Sequence, residues 1–160
     1  MPYLLSLSEE VCRGLSCLAQ GVEGESPEGG IAAARQHAVQ TLAELARHTS
    51  CHPGLIVNGE DGSDQGCVCM ALTSALRGPR EGRRQEWAAL ATHNLCSTSL
   101  GLEGCLHADC VTPLLSWTRN PQYLGCNESS KEDRRLQEAS VSAIRVISRE
   151  EGGRRRLLSP

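Results

Sequence analysis

Residues 31–48 read IAAARQHAVQTLAELARH. Strong helix formers fill this stretch, and neither glycine nor proline interrupts it. Ala34, Ala38, Leu42 and Leu45 recur at three- and four-residue steps, which lays one apolar stripe along a helix. The stripe is made of small side chains, so a second helix can approach closely. The pattern returns twice downstream, as QEWAALATHNLC over 85–96 and RLQEASVSAIRVIS over 135–148. Ala38, Ala88 and Ala139 align, as do Leu45, Leu95 and Val146, at a step of 50 and then 51 residues. A fixed period in this range marks a stacked helical repeat.

Each strong helix has companions upstream. A short apolar pair opens each unit: Leu4-Leu5, Leu55-Ile56, Cys105-Leu106 and Leu157-Leu158. A second helical segment follows, over 9–20, 67–77 and 110–119. Ser6 with Glu9 forms a capping box before the first. Gly78-Pro79 and Asn120-Pro121 stop the other two, and Pro113 falls in a first turn, where its missing N–H costs little. Loops over 21–30, 79–82 and 121–131 lead to the long helices, the last of them capped by Ser130. GVEGESPEGG (21–30) and NGEDGSDQG (58–66) are acidic and glycine-rich. The expectation is an all-α chain forming one domain over 1–160, with three-helix repeats at about 1–50, 51–100 and 101–151. Residues 152–160 then begin an incomplete fourth repeat, as in a fragment or short isoform of a longer protein. A stack ended there leaves the apolar face of 135–148 partly uncovered.

Composition narrows the function. The chain is 39% hydrophobic and 22% charged with a formal net charge of −3, ordinary for a soluble protein and without the basic excess of a nucleic-acid binder. There is no Phe, and only two Trp and two Tyr, so base stacking lacks platforms. No apolar run approaches the roughly 20 residues of a membrane span. The N-terminal stretch lacks a basic region, and Glu9 and Glu10 cut its apolar run short, which makes a poor signal peptide. Nine cysteines without dense spacing fit a reducing compartment, cytoplasm or nucleus, and make the sequon at Asn127 a chance match.

In the long helices, a small residue, an apolar position and a late apolar residue recur: Ala38…Leu42…Leu45, Ala88…Ala91…Leu95, Ala139…Ala143…Val146. In this the three-helix unit resembles the armadillo repeat, with the HEAT repeat as its near neighbour. The resemblance implies a right-handed α-solenoid whose third helices line a concave groove that binds other proteins. The peptide-binding members of that family carry an asparagine ladder, whose matching positions here are Glu44, Asn94 and Arg145. One turn earlier, where those proteins often carry tryptophan, stand Gln40, Leu90 and Val141. The chain thus departs from the extended-peptide pattern at most positions.

Candidate chemistry is sparse. Cys105, His107 and Cys110 offer three ligands in six residues, and Cys51-His52 with Cys67 and Cys69 offer four more. Neither cluster makes two of the paired spacings that structural zinc prefers. A small zinc-stabilised domain built on Cys105, His107 and Cys110 is the alternative reading. Cysteine as a small buried hydrophobe accounts better for the equivalent places of Cys67 and Cys110. No nucleophile elbow, P-loop or dinucleotide fingerprint is present, so no catalytic residue, cofactor or small-molecule substrate is expected. His37 and His93 fit solvated helix surface. The Arg83-Arg84 and Arg134-Arg135 pairs precede long helices, where the dipole offers cations nothing. Trp87 and Trp117 either fill gaps between small residues or, in the case of Trp87, face the groove as an interface anchor. The expectation is a non-enzymatic scaffold for a protein partner, binding neither nucleic acid nor membrane. Its contact residues are Gln40, Glu44, Trp87, Leu90, Asn94, Val141 and Arg145.

Overall fold

The computed structural model describes residues 11, 14–19, 29–56, 68–80, 83–119 and 131–158. Its regular structure there is entirely helical. Residues 14–19 form α1, followed by α2 (Gly29–Ala46), a 3₁₀ turn (Thr49–Cys51) and α3 (His52–Ile56). Then come α4 (Val68–Arg77), α5 (Arg84–Leu95), α6 (Ser99–His107), α7 (Val111–Arg119), α8 (Lys131–Ile147) and α9 (Glu151–Leu158). Leu4-Leu5, the Ser6 capping box, most of 21–30, all of 58–66, Cys67, Asn120-Pro121 and Ser130 lie outside the described residues.

The helix boundaries depart from the apolar pattern where end effects take over. α2 starts two residues early, at Gly29, and ends at Ala46 rather than His48. There the Arg47 and His48 N–H groups bond three residues back, to Glu44 and Leu45, tightening the last turn. α8 starts at Lys131, four residues ahead of the apolar pattern, because Glu132 and Asp133 occupy its first turn, where the dipole favours acids. Pro113 sits in the first turn of α7, as its spacing requires.

Helices at equivalent places in the sequence period pack on one another. α2 lies against α5 and α5 against α8; α3 meets α6, α6 meets α9, and α4 meets α7. Within a period, α4 packs on α5 and α7 on α8. α5 is therefore enclosed, and eight of its 12 residues are buried. Ala88, Ala89 and Ala91 let its neighbours approach, while Leu42, Leu72, Leu76, Leu95, Leu114 and Ile147 supply the bulk of the core. Each such leucine, fully buried, contributes about 1.5–3 kcal/mol.

The turns after α5 and α8 share one geometry. Six residues beyond the ends of α5 and α8 stand Gly101 and Gly153. A β-carbon on either would lie 2.0 Å from the carbonyl oxygen of Leu95 or Ile147. At the corresponding place after α2 stands His52, which reaches the Ala46 carbonyl with its side chain, Nε2 to oxygen 2.8 Å. Its other ring nitrogen lies 2.8 Å from the Thr98 hydroxyl, and that hydroxyl accepts the Gly101 N–H to cap α6. A carbonyl can only accept, so Nε2 donates to Ala46, and the Thr98 hydroxyl in turn donates to the Leu95 carbonyl at 3.3 Å.

Arg84 and the three arginines of α9 have structural reasons. Arg84 is 3% exposed and donates to the Ala19 carbonyl at the end of α1. A cation is well placed at that negative end. Beside it, buried Gln85 donates to the carbonyls of Gly78 and Pro79 just beyond α4, at 3.3 and 2.5 Å. The start of α5 thus closes the ends of two earlier helices. In α9, Arg154 donates to the Ser148 and Arg149 carbonyls, Arg155 pairs with Glu151, and Arg156 pairs with Asp109. No helix among the described residues is long and apolar enough to cross a membrane.

Candidate interaction surface

Trp87, Leu90 and Asn94 follow at three- and four-residue steps and share one face of α5. All three are partly exposed, while Ala88, Ala89 and Ala91 between them are buried. This row is where the enclosed helix meets solvent. On α2, Gln40 is partly exposed, and exposed Glu44 pairs with Arg47 at 2.9 Å. On α8, Val141 is 51% exposed, and Arg145 is exposed one turn further on. The seven expected contact residues therefore sit on three successively packed helices.

Polar contacts set how those helices meet. Asn94 Nδ2 donates to the Ala43 carbonyl of α2 at 3.4 Å, and the Arg83 N–H donates to Gln36 Oε1 at 3.2 Å. On the other side of α5, His93 Nδ1 lies 3.1 Å from Ser142 Oγ of α8. His93 is thus half-buried and bonded between helices, not a solvated surface residue as expected; His37 is exposed.

Arg83 stacks over Trp87, its guanidinium carbon 4.9 Å from the ring centroid. Glu86 grips the same guanidinium through two bonds, 2.8 and 2.7 Å, and holds it still more firmly protonated than usual. One face of Trp87 is thereby covered by a fixed cation, a stack worth roughly 0.5–1 kcal/mol at a partly exposed site. Trp117 serves a different purpose. Its indole N–H donates to the Leu76 carbonyl at 3.0 Å, and Arg80, which pairs with Asp133, lies over its ring at 5.7 Å. It ties α7 to the end of α4.

Four of the described cysteines collect in the core. Cys69, Cys96, Cys105 and Cys110 are buried, with Cys69 Sγ 3.9 Å from Cys105 Sγ. Thr73 donates its hydroxyl proton to the Cys69 carbonyl at 2.9 Å, so the Cys110 thiol, 2.9 Å from that hydroxyl, is the donor of the pair. Hydrogen bonding with the thiols of Cys110, Cys69 and Cys96, together with burial, pushes Cys105 well above the usual thiol range. It remains a protonated packing group. His107 is exposed while Cys105 and Cys110 are buried, so the structure does not bring the three zinc candidates together. Among the described residues no group of three or more His, Cys, Asp or Glu side chains could hold a metal ion.

Asp109 has φ 54°, a left-handed conformation that aspartate adopts more readily than most residues. Its carboxylate accepts from Arg77 at 2.6 Å, Arg156 at 3.0 Å and Thr112 at 2.9 Å, joining α4, α7 and α9. Comparisons of the chain with protein-family models, curated proteins and solved structures each return no match.

Proposed function

We propose that this protein is a non-enzymatic interaction scaffold of the cytoplasm or nucleus. In this reading its helices form a right-handed, armadillo-like α-solenoid, and a protein partner docks on the face made by α2, α5 and α8. The stacking of like helices on like supports the solenoid. The observation that carries the binding face is the partly exposed row Trp87, Leu90 and Asn94 on a largely enclosed helix. A solvent-accessible tryptophan held rigid by Arg83 and Glu86 has the character of an interface anchor.

The test is selection of ligands by the full chain from a displayed random-peptide library. Ligands should emerge that lose at least tenfold in affinity on Trp87→Ala plus Asn94→Ala, with the thermal melt changed little. Selected ligands indifferent to both substitutions would reject this face as the site.

A further inference from the structure

We infer that copies of this chain associate head to tail, the outer face of α2 in one copy packing on the outer face of α8 in another. α2, α5 and α8 pack in series, which leaves one side of α2 and one side of α8 without a like helix among the described residues. Large apolar side chains stay exposed mainly on the first and last helices. Leu18 lies on α1 with Val11 just before it, and Val141 and Leu158 lie on α8 and α9; among the described residues only Leu100 is exposed between them. A helical stack that ends by itself carries polar faces at such places.

The two packed interfaces show what each outer face presents. Gln36 and Ala43 of α2 accept bonds from Arg83 and Asn94 of α5, and His93 of α5, at the same place as Ala43, bonds Ser142 of α8. The steps of 50 and 51 residues carry those receiving places to Gln137 and Ile144 on α8, both partly exposed. The places of Arg83, Asn94 and Ser142 carry back to Ala33, Glu44 and Thr41 on α2, all exposed. α8 thus offers the side on which α2 and α5 each receive a helix. α2 offers the side by which α5 and α8 each dock.

The two faces also complement each other chemically. Leu90 is partly covered between two like helices, whereas Val141, at its place on α8, has one such neighbour and is 51% exposed. A second copy on α8 covers it. Asn94 reaches the Ala43 carbonyl, so Glu44, at the place of Asn94, reaches the level of Ile144, beside exposed Arg145. The pair of Glu44 with Arg47 uses one carboxylate oxygen and leaves the other for Arg145. A contact of this kind leaves one docking face free at each end, so growth continues past a dimer.

Sedimentation of the full chain across a range of concentrations tests this. The mean mass should rise with concentration and pass that of a dimer. Glu44→Arg and Arg145→Glu change exposed residues, so each variant, when dilute, should melt like the wild type. Each should weaken association about tenfold, because each sets like charges together. Mixing the two variants should restore association, since every contact between unlike copies again joins opposite charges. A monomer at every concentration, or a dimer that grows no further, overturns the inference. So do variants that associate as well as the wild type, or a mixture no more associated than its components.

Discussion

Gly101 lies so close under Leu95 that a β-carbon on it would stand 2.0 Å from the Leu95 carbonyl oxygen. The obstacle is helix backbone, which cannot swing aside as a flexible side chain can. Gly101→Ala is expected to cost about 3 kcal/mol or more, at the upper end of overpacking effects. Gly153→Ala, facing Ile147 in the same way, should behave alike. Gly152 is the control. A β-carbon there meets only Leu106 Cδ1 at an ordinary 3.7 Å. Gly152→Ala should stabilise by roughly 0.5–1 kcal/mol through helix propensity. Denaturant melts of the three variants check the contrast.

Asp109 makes stability depend on pH at the acid end. Burial raises its pKa, but the hydrogen bonds from Thr112 and Arg156 and the charges of Arg156 and Arg77 outweigh that and hold it below the usual carboxylate range. The unfolded chain thus takes up this proton at higher pH than the folded one. The stabilisation is complete above the unfolded value of about 4 and is lost as pH falls through the folded one. Its partners are largely solvated, so the contribution is at most about 1 kcal/mol. Asp109→Asn keeps a residue tolerant of the left-handed backbone. It should lower stability near neutrality and narrow the difference from wild type in acid, read from melts across the pH range.

Ser140 is fully buried, and its hydroxyl finds no hydrogen-bond partner among the described residues. Ser140→Ala removes that uncompensated group and improves helix propensity. A gain of about 1 kcal/mol is expected. An unchanged or lower melting temperature would contradict the assignment.

Thiol reactivity should follow burial. Cys17 is exposed and Cys51 partly so, whereas Cys69, Cys96, Cys105 and Cys110 are enclosed. With an aromatic disulfide reagent and peptide mapping, Cys17 and Cys51 should label promptly. The four core thiols should label only as the chain unfolds. Prompt labelling of Cys105 would contradict both its burial and its raised pKa.

The period and most helix positions were legible because apolar spacing is local information. Ala38, Ala88 and Ala139 mark three helices that do pack in series. The ends were less legible. Lys131 begins α8 through charge at its first turn, which an apolar pattern ignores. The tasks of Arg84 and His52 were hidden because their partners include Ala19 and Thr98, 65 and 46 residues away. A glycine six positions past α5 and α8 was a usable signal, but only once those helix ends were known. The row Trp87, Leu90 and Asn94 was readable as one helix face. The bond of His93 to Ser142 required α5 and α8 side by side.

Turns that connect packed helices are the usual places for local opening. The Ala46 carbonyl, the His52 imidazole, the Thr98 hydroxyl and the Gly101 N–H form one continuous hydrogen-bonded line. That line splices the turn after α2 to the turn after α5. Opening either turn strands a buried donor or acceptor in the other, so the two exchange their amide protons as one event. The smallest unit that opens at this place accordingly spans both turns.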